Sequence, residues 1–341
     1  MEVFELPGST IKGIYSCVPA RSEDNLARCV EIYGEEKKAA SVVKATGINF
    51  RRTIDPKDTS LDLCVRAAEE LLTDIDVAKQ EIGAIVNVTF TPERIMPCNA
   101  CQAQHRLGLS SDIAAFDVNL ACSGWVYGLY VASMMANSMR KYVLFLDGDA
   151  QTKYIDPSDQ ATVPVLADAG SATLIAPASG KDVDPWTFSF MTRGEKGDAL
   201  QLPFGGNLTM DGLAVFKFVT MDVLNMISEF MVQTGETPST IDAFVPHQAN
   251  MFMIRQVAKR LGFPHEKLLE SGDMLGNSSS ATIPTTIAYC RDALFASGNT
   301  SKMLISGFGG GLSAATGIVT IDNKCRLKVF DYGCSEMKGL Q

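Results

Sequence analysis

The feature that most restricts the fold is an internal echo. Ile82-Gly83-Ala84-Ile85-Val86 is a continuous apolar run of the buried-strand kind, followed by Pro97 and a helical stretch ending Arg106-Leu107-Gly108. Ile241-Asp242-Ala243-Phe244-Val245 repeats that order, leading to Pro246 and a helical stretch ending Arg260-Leu261-Gly262. This repeat predicts two homologous halves. Around each copy, buried strands alternate with helices, which predicts α/β layers with mostly parallel sheet. Pro, Gly, Ser and Asp cluster over 177–185, so the halves are expected to occupy 1–178 and 185–341, with a site between them. A chain of 341 residues with 46% apolar content can bury that much core.

The alternation is specific enough to place elements. In the first half, strands are predicted at 10–19, 82–88, 114–118 and 142–147. Helical stretches are predicted at 26–43, 61–75 behind Asp58-Thr59-Ser60, 99–107 and 123–138. In the second, helices are predicted at 216–232, 250–261 and 285–296, with strands at 241–245 and 302–306.

Composition narrows the class. A net charge of −9 argues against nucleic acid as the main partner. No run approaches the roughly 18 to 20 apolar residues that a bilayer span needs, so no membrane partner is expected. Met1-Glu2-Val3-Phe4-Glu5 lacks the basic start of a signal peptide, and nine cysteines is an odd number. Together these predict reduced thiols and a cytoplasmic protein. Cys98 and Cys101 form a CxxC, but no second pair or nearby His completes a zinc site. The pair reads as structural, and no metal is expected.

Four segments carry chemistry. Cys122, in Asp117-Val118-Asn119-Leu120-Ala121-Cys122-Ser123-Gly124, sits on the elbow between a buried strand and the first turn of a buried helix. The positive end of the helix dipole there is expected to favour thiolate over thiol. Gly124 and Gly128 leave room for close packing on one face of that helix. His247, in Pro246-His247-Gln248-Ala249-Asn250, follows a buried strand, where sites in α/β sheets gather. Asn277 lies in the polar loop Gly276-Asn277-Ser278-Ser279-Ser280. Gly307-Phe308-Gly309-Gly310-Gly311 follows another strand and reads as a cradle of backbone N–H groups or as a tight hairpin.

In order and spacing these segments resemble the β-ketoacyl-acyl-carrier-protein synthase III family of thiolase-fold condensing enzymes, over nearly the whole chain. The resemblance implies a five-layered αβαβα core from two pseudo-symmetric halves, normally a homodimer, with no permanently bound cofactor. It implies an acyltransferase in which Cys122 takes the acyl group from a thioester of CoA or acyl carrier protein. Backbone N–H groups of Cys122 and Gly310 would form the oxyanion hole. His247 and Asn277 would then stabilise the enolate released when a malonyl thioester loses carbon dioxide. Relatives that abstract a proton instead carry a second cysteine in the glycine loop, and 307–312 has none. Elongating relatives use two histidines, and Asn277 takes the second place here.

The pattern also departs from the family. The adenine of CoA is usually gripped by a Trp and two Arg, whose places are held by Ser41, Ala45 and Gln160. Ala167-Asp168-Ala169-Gly170 has fewer glycines than usual. The gate to the acyl pocket, contributed across the dimer, falls on Met96. Glu93 stands near it as a candidate base, out of register. Lys217, Lys259 and Arg260 are the expected docking residues for acyl carrier protein, while Phe252 replaces another basic contact. These losses point to a specialised synthase in fatty acid or secondary metabolism. The open alternatives are the ordinary acetyl-CoA initiator, acyl transfer to an alcohol or amine, and an acyl-binding partner subunit.

Overall fold

The computed structural model describes residues 1–178, 184–296 and 298–333. Most of the expected junction, 179–183, lies outside the described residues.

Two sheets form the frame. The first runs, edge to edge, through Arg326–Asp331, Thr10–Val18, Ala169–Ala176, Tyr142–Asp149, Ile82–Val88 and Ala114–Val118. The second runs through Phe4–Leu6, Trp186–Thr192, Ser313–Asp322, Thr300–Gly309 and Ala243–Pro246. Inside the outermost strands Arg326–Asp331 and Phe4–Leu6, the sense of pairing matches step by step. Thr10–Val18 is antiparallel to Ala169–Ala176, as Trp186–Thr192 is to Ser313–Asp322. Tyr142–Asp149 and Thr300–Gly309 follow antiparallel, and each then takes a parallel neighbour, Ile82–Val88 or Ala243–Pro246. Even the last parallel pair is echoed, with the strand Ala114–Val118 shrunk to a bridge between Phe244 and Leu268. The duplication read from the sequence is therefore present as geometry. The outermost strands trade places: Phe4–Leu6 joins the second sheet and Arg326–Asp331 the first.

The expectation of mostly parallel sheet was wrong, because both sheets are mixed. Five strands of the two sheets fell outside the alternating pattern: Phe4–Leu6, Ala169–Ala176, Trp186–Thr192, Ser313–Asp322 and Arg326–Asp331. Three of them make the antiparallel pairings in the middle of the sheets. Two of these, Ala169–Ala176 and Ser313–Asp322, begin with small residues such as Ser313-Ala314-Ala315-Thr316, and close burial between layers makes them strands.

Helices fill the remaining three layers. Gly124–Met139 and Thr282–Tyr289 lie between the sheets, and Gly124–Met139 touches strands of both. Ser60–Asp74 and Asn99–Arg106 cover the outer face of the first sheet. Gly212–Lys217, Leu224–Thr234 and Met251–Leu261 cover that of the second, with a π-helical turn, Phe218–Val223, joining the first two. Ser60–Asp74 starts with a capping box, in which Thr59 and Asp62 satisfy each other's backbone N–H groups. Among the described residues no helix is long and apolar enough to cross a membrane.

Candidate active site

Cys122 is placed by a tight turn after Ala114–Val118, where Leu120 N–H donates to the Val118 carbonyl and Gly124 N–H to that of Ala121. That strand is half-buried along its length and forms the open edge of the first sheet, rather than being buried as expected. The glycines do what their spacing suggested. A Cβ on Gly124 would lie 2.4 Å from Val88 Cγ1, and one on Gly128 2.4 Å from Phe145 Cζ. Only a bare backbone lets this helix settle onto the sheet and carry Cys122 with it.

Cys122 is 8% exposed. Burial pushes its thiol up to about 12, against the pull of the Ser279 hydroxyl and of the Cys122 and Gly310 N–H groups. The expectation that the helix terminus would favour thiolate is thus reversed, because the cost of burying a charge outweighs the dipole. At rest the sulfur is a thiol. The glycine-rich segment is a hairpin turn between Thr300–Gly309 and Ser313–Asp322. A Cβ on Gly309 would stand 2.6 Å from Cys122 Cβ and 2.9 Å from its Sγ. The hairpin therefore brings Gly310 N–H to the sulfur.

His247 follows Ala243–Pro246, and its N–H donates to the Ser306 carbonyl on the neighbouring strand. The ring is buried, edge-on to Phe308 at 5.4 Å between centroids. Burial holds the imidazole down at about 3, although the Ser279 backbone carbonyl favours its charged form. It is neutral at pH 7. Nδ1 lies 2.7 Å from the Thr282 hydroxyl, whose oxygen is also 2.8 Å from the Ser279 carbonyl. As it stands that hydroxyl donates to the Ser279 carbonyl and so accepts from Nδ1–H; a protonated Nε2 for the cavity requires its proton to turn from that carbonyl to Nδ1.

Asn277 is fixed from both sides. Its N–H donates to the Val165 carbonyl, and its own carbonyl accepts from Ala167 N–H and from Gln151 Nε2 at 2.6 Å. Its Oδ1 accepts the Ser279 N–H at 2.9 Å, which orients the amide. Nδ2 is left with one long contact, 3.4 Å to the Ala249 carbonyl. It is free to donate elsewhere.

Cys122, His247, Asn277 and Gly310 all line one cavity of about 810 Å³. Its other walls include Phe90, Leu120, Leu200, Met210, Val215 and Phe216. Met96 lies apart, 82% exposed and off the cavity of its own chain, while Phe90 and Ile95 from the same loop line it. Glu93 also turns away, accepting a 2.5 Å hydrogen bond from the Thr59 hydroxyl. Lys217, Lys259 and Arg260 are exposed on helices whose residues Val215, Phe216 and Met253 line the cavity. Arg260 donates to the Thr220 carbonyl, tying two of these elements together. Ser41, Ala45 and Gln160 are exposed and offer no aromatic or guanidinium surface. Cys98 and Cys101 stand at the start of Asn99–Arg106 with sulfurs 3.4 Å apart.

Sequence reasoning missed Thr282, Ser279, Gln151 and Asp149. Thr282 and Ser279 lie within five residues of Asn277, so proximity to a site motif was the available signal. Gln151 and Asp149 reach the site only through folding, from the end of Tyr142–Asp149 and just beyond.

Family models described as 3-oxoacyl-[acyl-carrier-protein] synthase III and its C-terminal region match residues 116–194 and 231–321. The β-ketoacyl-[acyl-carrier-protein] synthase III of Sodalis glossinidius is 33% identical over 317 residues, covering 89% of this chain and 96% of its own. The crystal structure of a 3-oxoacyl-(acyl-carrier protein) synthase from Burkholderia xenovorans superimposes with a TM-score of 0.91 at 30% identity, over 97% of this chain and 99% of its own. The priming β-ketosynthase of the R1128 polyketide pathway gives 0.82 at 27% identity, over 94% and 98%. The chain belongs to the 3-oxoacyl-acyl-carrier-protein synthase III family.

Proposed function

We propose that this protein joins an acyl group carried on Cys122 to a malonyl or related thioester, with loss of carbon dioxide, giving a β-ketoacyl thioester. The observation that carries this reading is the convergence of Cys122, Gly310, His247 and Asn277 on one apolar-walled cavity. Cys122 attacks the thioester carbon of an acyl donor. The N–H groups of Cys122 and Gly310 receive the oxyanion, each such donor being worth roughly 3 to 4 kcal/mol. With the acyl group in place, the malonyl thioester binds with its carbonyl oxygen toward His247 Nε2 and Asn277 Nδ2. Two neutral donors suit an enolate, since decarboxylation supplies the carbanion and no strong base is needed. A neutral His247 agrees with the depression caused by burial. The substrates are thioesters of CoA or acyl carrier protein, with no permanent cofactor.

The lost adenine grip at Ser41, Ala45 and Gln160 favours a donor held by its pantetheine arm and carrier rather than by a nucleotide. Carrier docking falls to Lys217, Lys259 and Arg260, exposed beside the cavity mouth. The assembly is a homodimer formed across the open edge Ala114–Val118, whose unpaired backbone groups and apolar side chains call for a partner. Asp117 on that edge accepts the N–H groups of Asn99 and Ala100, which places the Met96 loop beside it. Met96 would then reach the partner's cavity as a gate.

The test is to incubate the protein with matched acyl-CoA and acyl-carrier-protein panels, with and without malonyl carrier, and to weigh it intact. The expected result is one acyl group on Cys122, discharged with carbon dioxide release when malonyl carrier is added. Discharge to an alcohol or amine without carbon dioxide would establish simple acyl transfer. No adduct at all would leave a binding subunit.

A further inference from the structure

We propose that Arg94 selects acyl donors whose chain ends in a carboxylate, so that the group placed on Cys122 is an ω-carboxyacyl group. This deepens the reading above and rests on Cys122 being the acyl acceptor.

Charge is distributed unevenly around the cavity. Among the described residues that line it, Arg94 is the one side chain of a strong acid or base; the others are apolar or neutral. Its guanidinium is not committed to the protein. Its one carboxylate partner among the described residues is Glu93, whose Oε2 stands 3.9 Å from Arg94 Nη2, beyond hydrogen-bonding distance. Glu93 is drawn off by the Thr59 hydroxyl, which reaches its Oε1 at 2.5 Å. The Arg94 side chain is 56% exposed, which puts its fork of donors at the mouth of the cavity.

Three substrate anions come to this cavity: the malonyl carboxylate, the phosphate of the carrier's arm and a carboxylate on the acyl chain. Pairing the malonyl carboxylate with a cation would hold it in the ground state more firmly than in the transition state, where its charge moves to the enolate. That would slow the loss of carbon dioxide. The place of Arg94 in the fold separates the other two. Its loop leaves Ile82–Val88, which pairs with Ala114–Val118, the strand that delivers Cys122. Phe90 N–H, at the root of the loop, is tied to Asp149 Oδ1 at 2.9 Å. The residues assigned to the malonyl thioester and the carrier, His247, Asn277, Lys217, Lys259 and Arg260, all come from the second half. The free cation therefore belongs to the half that holds the acyl group.

A terminal carboxylate among apolar walls is costly unless it is paired, and the guanidinium fork fits it with two parallel N–H bonds. A neutral chain offers that fork nothing. The carboxylate takes no part in bond-making. Cys122 Sγ bonds to the thioester carbon, the donor's C–S bond breaks, and the thiol proton leaves on the donor's thiol.

The experiment measures acylation of Cys122 by intact mass, with matched donors on acyl carrier protein: glutaryl against pentanoyl, adipyl against hexanoyl, pimeloyl against heptanoyl. All share one phosphopantetheine arm, so only the terminal carboxylate differs within a pair. In the pair of best-fitting length, the unaltered protein should acylate from the carboxyl donor about tenfold faster than from its neutral match, and high salt should shrink that ratio. Arg94→Gln should abolish the ratio, and Arg94→Lys, which keeps the charge without the fork, should retain part of it. A ratio unchanged in Arg94→Gln, however far both rates fall, would assign Arg94 to the arm's phosphate or to the shape of the loop, and overturns the selection. Faster acylation from the neutral donors of every pair in the unaltered protein overturns it too, while leaving Cys122 as acyl acceptor. Absence of an adduct with every donor overturns the reading on which the selection rests, and the selection with it.

Discussion

The two halves of the molecule start from the same strand and end in different tools. In the first, Ile82–Val88 takes a full parallel neighbour, Ala114–Val118, and the chain turns straight into the 16-residue helix Gly124–Met139. Cys122 is thus held at a rigid junction of sheet and helix. In the second, the equivalent neighbour of Ala243–Pro246 is the single bridge at Leu268. The chain saved there becomes the loop 276–281, turned by positive φ at Gly276 and Ser279, that carries Asn277 to the nucleophile. One half supplies the atom that forms a bond. The other supplies neutral donors whose directions are set by Thr282, Val165 and Gln151 rather than by a ladder.

The largest expected effect breaks the first half's part alone. Cys122→Ala should lose acyl labelling altogether, a fall of at least about 10⁴-fold, with folding unchanged by circular dichroism. Residual labelling at another residue would move the nucleophile. Next comes the hairpin that crosses from the second half to the first. Gly309→Ala places a methyl group within 3 Å of the Cys122 side chain, and should lower acyl transfer on the order of 100-fold. An unchanged rate would mean that the close approach is not needed.

How much of this could be read beforehand depended on whether a signal was local. Cys122, His247, Asn277 and the glycine hairpin each sit in a short motif, and the repeat of Ile82–Val86 in Ile241–Val245 gave away the duplication. The small-residue strand Ser313–Asp322 has no alternation to betray it, since both of its faces are buried. Nor could the exchange of Phe4–Leu6 and Arg326–Asp331 between sheets be read, because Phe4 pairs with Phe188 and Arg326 with Gly13, separations that no sequence window spans. The thiol state of Cys122 was misjudged for a related reason. Helix position is visible in sequence, whereas the depth of burial opposing it is not.

Smaller effects sharpen the contrast. Thr282→Val removes the hydroxyl that fixes the His247 ring, and should slow carbon dioxide release roughly tenfold while sparing acyl transfer. Equal slowing of both steps would deny the division of labour. Asp149 and Asp168 are each raised by burial from 3.8 to about 6. Between those values the folded chain binds protons that the unfolded chain has released. Their stabilising contribution is complete below pH 3.8 and is lost as pH rises through about 6, on the order of 3 kcal/mol each. Asp168→Asn should therefore flatten the change in urea midpoint across that range, and an unaltered slope would show that Asp168 does not titrate there. The smallest change belongs to Asp147, whose carboxyl burial raises well above the usual carboxylate range and which accepts the Ser280 hydroxyl. Asp147→Asn keeps that acceptor, so its unfolding free energy at pH 7 should stay within about 1 kcal/mol.

The division between the halves is tested most directly in His247→Ala, by following the mass of the protein and carbon dioxide release together. With acyl donor and malonyl carrier present, acyl-Cys122 should accumulate to one per chain while release falls on the order of 100-fold. If His247→Ala instead fails to acquire the acyl group, His247 serves the nucleophile, and the two halves do not divide the reaction.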